Sequence, residues 1–130
     1  EICRQQFSES ETVDFKRALP GRDEKSKVEL AKDVAAMANT GGGDLVFGIM
    51  ETEDGGQAGG ITAITGESSD EAQRRILQTL ESRIEPRVQG LTLWTVQVAD
   101  GYVLVMRIPP SWNGPHCVKT DTQRRFTFRH

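Results

Sequence analysis

The segment Asn39-Thr40-Gly41-Gly42-Gly43 constrains this chain more than any other. Consecutive glycines admit backbone angles closed to other residues, and they end whatever regular element precedes them. Before them, residues 24–39 carry Leu30, Ala31, Val34, Met37 and Ala38 at helical spacing, with Glu24, Lys25, Lys32 and Asp33 on the solvated side. After them, Leu45-Val46-Phe47-Gly48-Ile49-Met50 is a continuous apolar run too short for a helix. It is expected as a central strand covered on both faces. The glycines are therefore read as a helix stop and a tight turn into that strand. A phosphate-binding loop places its glycines before a helix, at the positive dipole end, and G-K-[ST] is absent, so ATP is not expected. Asn39, at a helix end near a strand start, is placed to order neighbouring loops.

The other elements follow from local pattern. Residues 12–19 read as a strand, with Val13 and Phe15 on one face and Thr12, Asp14 and Lys16 on the other. Residues 53–60, with two Gly-Gly pairs, read as a loop, and 61–64 as a short edge strand. A second helix is expected over Ser68–Ile84, capped by Ser68 or Ser69, with Ala72, Ile76, Leu77, Leu80 and Ile84 as its apolar line. Leu91–Val98 and Tyr102–Ile108 form a hairpin signalled by Asp100-Gly101. His116–Lys119 and Arg124–Arg129 close the chain as strands, the latter with Phe126 and Phe128 inward and Arg125, Thr127 and Arg129 outward. The order predicts an α+β domain in which two helices pack on a mixed sheet.

A chain of 130 residues is one domain and is long enough to hold a core without disulfide or metal. It does not begin with Met, so a piece of a longer protein is expected. No apolar run reaches the roughly 18–20 residues of a membrane span. No signal peptide is visible, and Cys3 and Cys117 sit in no ligand-like spacing. A reducing, cytoplasmic setting is the expectation. The net charge of −3 argues against a protein that coats DNA with overall positive charge, yet it splits into +4 over the last 24 residues and −7 over the first 106.

Three constellations can carry chemistry. Strand alternation puts Asp14 and Lys16 on one face, with Glu9 just upstream and Arg17 beside them. Paired carboxylates hold Mg²⁺ or Mn²⁺, and a lysine steadies charge on a phosphoryl oxygen. The plain alternative is an exposed ion pair of little worth. Glu51, after the apolar strand, can join Glu9 and Asp14, or can belong to an acidic turn. The basic C-terminal region offers Arg107, Lys119, Arg125 and Arg129 to a phosphate backbone, Lys16 and Arg17 are expected to join them as nucleic-acid contacts, and Trp112 and His116 in the adjoining loop are placed for base stacking. The alternatives are a charged, aggregation-resistant strand edge, a packed Trp and a histidine that binds nothing.

Taken together, these residues resemble a known family. Glu9-Ser10-Glu11-Thr12-Val13-Asp14-Phe15-Lys16 is similar to the signature E-S-x-x-x-E-F-K. Ala35 to Ile49 is similar to A-F-A-N-T-x-G-G-x-L-x-x-G-V with one extra glycine, and Ile108-Pro109-Pro110-Ser111, Pro115-His116 and Phe126–Arg129 resemble its closing segments. The family is the Schlafen-type AlbA-like domain, and the resemblance covers almost the whole chain. It implies a nucleic-acid-binding α+β domain, found in bacterial regulatory or defence proteins beside further domains such as helix-turn-helix or ATPase-like modules. In some members it implies a metal-dependent endoribonuclease acting on tRNA or rRNA, with Mg²⁺ or Mn²⁺ held by three acids. By position these are Glu9, Asp14 and Glu51, with Lys16 as a catalytic partner. Here the second acid is Asp where the family has Glu, and the third is Glu where it has Asp. Each exchange moves a carboxylate by one methylene. Vertebrate members pair two such units as a clamp, so a homodimer or partner domain is implied. A non-catalytic oligomerisation module is the third expectation.

Overall fold

The computed structural model describes residues 13–51, 58–112, 114–119 and 126–127. Among these the chain forms two helices and nine strands. They run in the order β1 (Val13–Lys16), α1 (Glu24–Asn39), β2 (Gly43–Phe47), β3 (Ile49–Glu51), β4 (Ala58–Ile61), α2 (Ser69–Arg83), β5 (Ile84–Glu85), β6 (Thr92–Val98), β7 (Gly101–Ile108), β8 (Cys117–Lys119) and β9 (Phe126–Thr127). The fold is α+β, as the order of patterns predicts.

Four strands make the main sheet in the order β1-β2-β7-β6. β1 lies parallel to β2, with Val13 opposite Asp44 and Lys16 opposite Phe47. β2 and β6 flank β7 in antiparallel register. A parallel pair needs a crossover, and α1 supplies it. Asp23 caps α1 by accepting from the Ser26 N–H at 3.2 Å, and Ser68 caps α2 by accepting from the Glu71 N–H at 3.1 Å. The stripe Leu30, Ala31, Val34, Ala35 and Ala38 of α1 is buried, as are Ala72, Ile76 and Leu80 of α2. Both helices meet one face of the sheet, where Leu45, Phe47, Leu104, Met106 and Ile108 complete a single core. Burying each of these side chains contributes about 1.5–3 kcal/mol. On β6, Leu93 packs against the core, which sends Trp94 and Val96 to the opposite face, where they stay exposed.

Three features depart from the sequence expectations. The apolar run 45–50 is not one strand. It breaks at Gly48, whose φ of +108° favours glycine. The Gly48 N–H donates to the Lys16 carbonyl at 2.7 Å, and its carbonyl accepts from the Thr62 N–H at 2.7 Å. This bend sends β3 away from the main sheet to pair with β4 in a two-stranded ribbon. The hairpin turn is Ala99-Asp100, with Val98 opposite Gly101. Gly101 already belongs to β7, and a side chain there would run into the Ile64 carbonyl, which accepts from the Tyr102 N–H. A small sheet, β9-β8-β5, joins the segment after α2 to the end of the chain. The expected strand 124–129 is described only at 126–127, and most of the loop 53–60 lies outside the described residues.

The glycine block does stop α1. The Thr40 and Gly42 N–H groups both donate to the Met37 carbonyl, at 3.1 and 2.6 Å. Gly41 and Gly42 have φ of +120° and +89°. A Cβ on Gly41 would meet nothing within 4 Å, whereas one on Gly42 would lie 2.6 Å from the Ile108 carbonyl oxygen. We therefore predict that Gly42→Ala costs about 3 kcal/mol, the sum of a strained angle and a backbone clash, and Gly41→Ala about 1–2 kcal/mol from the angle alone. Urea denaturation of both variants checks this, and equal losses would show that the close approach carries no constraint.

Candidate nucleic-acid interface

The Asp14–Lys16 pair forms as strand alternation predicts, and it gains a third member. The Lys16 ammonium lies 3.3 Å from Asp14 and 3.1 Å from Asp33 of α1. Burial alone would lower the Lys16 pKa. Hydrogen bonding and charge from Asp33, then from Asp14, outweigh it and hold the pKa above its ordinary value. A cation therefore already faces the Asp14 carboxylate. Among the described residues no three His, Cys, Asp or Glu side chains gather to hold a metal ion. Glu51 is exposed at the end of β3, and Glu9 lies outside the described residues. Of the expected acids, Asp14 thus stands in a carboxylate–ammonium–carboxylate row with Lys16 and Asp33, and Glu51 is not part of it.

The expected basic positions fall in several places. Arg107 lies on the helix-free face of the sheet, where Asp44 holds its guanidinium through bonds of 3.0 and 3.3 Å and the Trp94 ring lies 5.5 Å beneath it. Hydrogen bonding to Asp44 raises its pKa further. Lys119 pairs with Glu85 at 3.4 Å. Arg125 and Arg129 lie outside the described residues. Trp112 is 96% exposed, so it packs on nothing and leaves a ring free.

His116 behaves otherwise than the stacking expectation. It is 1% exposed, so its ring presents no face to a base. Nδ1 lies 2.6 Å from the Pro86 carbonyl oxygen and Nε2 2.6 Å from the Ser111 hydroxyl. A carbonyl only accepts, so Nδ1 carries the proton of this bond. The His116 backbone is gripped by Asn39, whose side chain accepts from its N–H at 2.9 Å and donates to its carbonyl at 3.2 Å. Asn39 thus orders a loop, the role open to it from its place in the sequence. Cys117 next door is a buried free thiol, its pKa raised by burial. Cys3 lies outside the described residues.

One basic feature is expected from the sequence only at Arg17. Three adjoining recesses of about 530, 270 and 230 Å³ all share Arg22 and Arg75 in their walls. They form a furrow along the β1–α1 loop, the segment 62–67 and α2. Six cations line it, Arg17, Arg22, Lys27, Arg74, Arg75 and Arg83, against the two carboxylates of Glu67 and Glu71. Arg83 is committed to Glu24 by a two-pronged pair. Arg75 holds both Glu67 oxygens, at 2.9 and 3.0 Å, and the two side chains are only 15% and 13% exposed. Arg22 touches the same carboxylate from outside at 3.2 Å and is 68% exposed. Among the described residues no carboxylate pairs with Arg17, Lys27 or Arg74. The walls are fixed by the Thr62 hydroxyl, which donates to the Arg17 carbonyl at 2.8 Å, and by the Tyr102 hydroxyl, which donates to the Glu67 carbonyl at 2.8 Å. The signal in the sequence was the pair Arg74-Arg75 on the polar side of α2, but its partners Arg17 and Arg22 are more than 50 residues away.

Helices on one face of a mixed sheet, with an arginine-lined furrow beside them, define an α+β domain with a locally basic surface. Its relatives place it further. Residues 9–130 match the family described as Schlafen, AlbA_2, and the chain belongs to that family, which is associated with nucleic-acid-related proteins. Among solved structures, the N-terminal domain of a RecG-related protein from Nitrosomonas europaea has the same fold, with a TM-score of 0.62 and 22% identity over 93% of this chain and 78% of that one. The DIP2311 protein from Corynebacterium diphtheriae also matches, with a TM-score of 0.54 and 24% identity over 92% of this chain. The present chain spans only 24% of that protein's length. No curated protein matches the chain. Among the described residues no helix is long and apolar enough to cross a membrane.

The Arg75 clamp gives Glu67 a pH signature. Its hydrogen bonds with Arg75 are the largest effect and hold the carboxyl below its ordinary value of 4.5, against the opposing pull of burial. The associated stability is present above pH 4.5 and is lost as pH falls through the lower folded value. We predict that Glu67→Gln loses about 1–3 kcal/mol at neutral pH and that its gap from the wild type narrows under acid. Denaturation curves at neutral and acidic pH check this. A gap that stays constant would mean that the carboxylate charge contributes nothing.

Proposed function

We propose that this chain is a nucleic-acid-binding domain of an intracellular bacterial regulatory or defence protein that carries further domains. The observation that carries this reading is membership of the Schlafen, AlbA_2 family across residues 9–130. Two others support it. The fold recurs in a protein related to the helicase RecG, and it recurs as a quarter of the longer DIP2311 chain. An overall charge of −3 does not oppose it, because phosphates respond to local charge.

A second reading is RNA cleavage assisted by Mg²⁺ or Mn²⁺, using Glu9, Asp14 and Glu51 as ligands. It rests on the family positions of these acids and on the Lys16 ammonium 3.3 Å from Asp14, a cation suited to a phosphoryl oxygen. Exchange of one methylene at two of the three acids counts against efficient cleavage.

The test is titration of tRNA, single-stranded RNA and duplex DNA between about 50 and 200 mM salt, followed by fluorescence anisotropy. We predict binding whose log affinity falls linearly with log salt, with a slope of roughly −0.7 to −0.9 per phosphate engaged. No binding at the low end, or binding indifferent to salt, would overturn the reading. The same tRNA samples incubated with Mn²⁺ address the second reading. Cleavage that vanishes in Asp14→Ala supports it, and cleavage that survives there removes Asp14 from any active site.

A further inference from the structure

We propose that the furrow over Arg22 and Arg75 is the track along which this domain holds a phosphodiester backbone. The inference rests on the nucleic-acid reading and adds to it a site, a mode of contact and named residues. The first support is charge. The furrow is lined by six cations against two carboxylates, and with Arg83 met by Glu24 it still keeps an excess of positive charge in a chain whose net charge is −3. Concentrated cations of this kind release the counterions of a phosphate chain, and that release drives binding. The second support is the division of labour around Glu67. Arg75 alone satisfies both carboxylate oxygens in a nearly buried pair, so the charge of Glu67 is already met. Arg22 reaches the carboxylate by one contact of 3.2 Å and is mostly in water. It can leave that carboxylate for a phosphate without exposing an unpaired charge.

The third support is shape. The three recesses adjoin through the same two arginines, and the largest is lined by residues 17–22 and 62–67, where Leu19, Pro20 and Ile64 alternate with polar and charged groups. An open recess edged by arginines suits a row of phosphates better than a small enclosed apolar ligand. Arginine forks bind phosphate oxygens in pairs. Arg17 lines the first recess and Arg74 the third, and both are exposed. Each adds a contact to that of Arg22, which both recesses share. Contacts of this type position a nucleic acid without reading its bases.

The experiment compares three forms of the full chain binding to the same single-stranded and duplex oligonucleotides across a salt series. One is the wild type. One is the triple variant Arg17→Ala, Arg22→Ala, Arg74→Ala, whose three side chains are exposed, so its melting curve should match the wild type. The third, Lys32→Ala with Arg87→Ala, removes exposed cations outside the furrow. The triple variant should bind at least about tenfold more weakly at low salt, and its slope of log affinity against log salt should be shallower by roughly 2–3, about one for each phosphate that the removed arginines engage. The double variant should stay within about twofold of the wild type, since neither of its side chains reaches a phosphate in the furrow. If the wild type binds and the triple variant matches it in affinity and slope, the furrow assignment falls while the nucleic-acid reading stands. If both variants weaken in proportion to the charge removed, binding follows bulk charge and the furrow is not a site. If the wild type binds no oligonucleotide, both readings fall together.

Discussion

The grip of Asn39 on the His116 backbone is the contact on which the rest of the architecture depends. The main sheet and the small sheet share no strand pairing. They are joined through the end of α1. There Asn39 takes both the donor and the acceptor of a residue 77 positions away. The His116 ring then ties the Pro86 carbonyl and the Ser111 hydroxyl into the same node. The Ser111 N–H donates to the Ala38 carbonyl at 3.0 Å, one of the carbonyls that the end of a helix leaves unpartnered. Gly42 permits all of this, because only a residue without a side chain lets the chain pass so close to Ile108 and Pro110. Each buried polar group left without its partner here would cost about 1–3 kcal/mol, so the node stands or falls as a unit.

That node explains what was legible in the sequence and what was not. The limits of α1 and the cap of α2 follow from local chemistry, and both stand where Asn39 and Ser68 predict. The Asp14–Lys16 pair was legible because alternation along one strand needs no knowledge of the fold. Its third member, Asp33, was not, because it arrives from a helix across the sheet edge. The break at Gly48 was hidden by a continuous apolar run, since hydrophobicity marks burial and not direction. His116 looked like a loop residue free to stack, and only the long-range bond to Asn39 reveals it as part of the core. The furrow was the least legible feature. Counting charge by segment finds blocks along the chain, whereas Arg17, Arg22 and Arg75 become neighbours only when the β1–α1 loop folds against α2.

The two halves of the furrow also differ in how firmly they are built. Its floor is held by the clamp of Arg75 on Glu67, by the Tyr102 hydroxyl on the Glu67 carbonyl, and by the antiparallel bridge between Ile64 and Tyr102. These contacts join the segment before α2 to the central strand β7, so the floor moves only with the sheet. Its rim is made of Arg17, Arg22 and Arg74, long side chains in water with little to fix their rotamers. On the proposed track, a rigid floor would fix where a polyanion lies, and an adaptable rim would tolerate different backbone geometries. Such a combination would give affinity without sequence preference, because phosphate contacts carry no base information. Selectivity on such a track would have to come from groups that face bases, and Trp112, 96% exposed next to Ser111 of the Asn39–His116 node, is the aromatic ring the proposal leaves for that part.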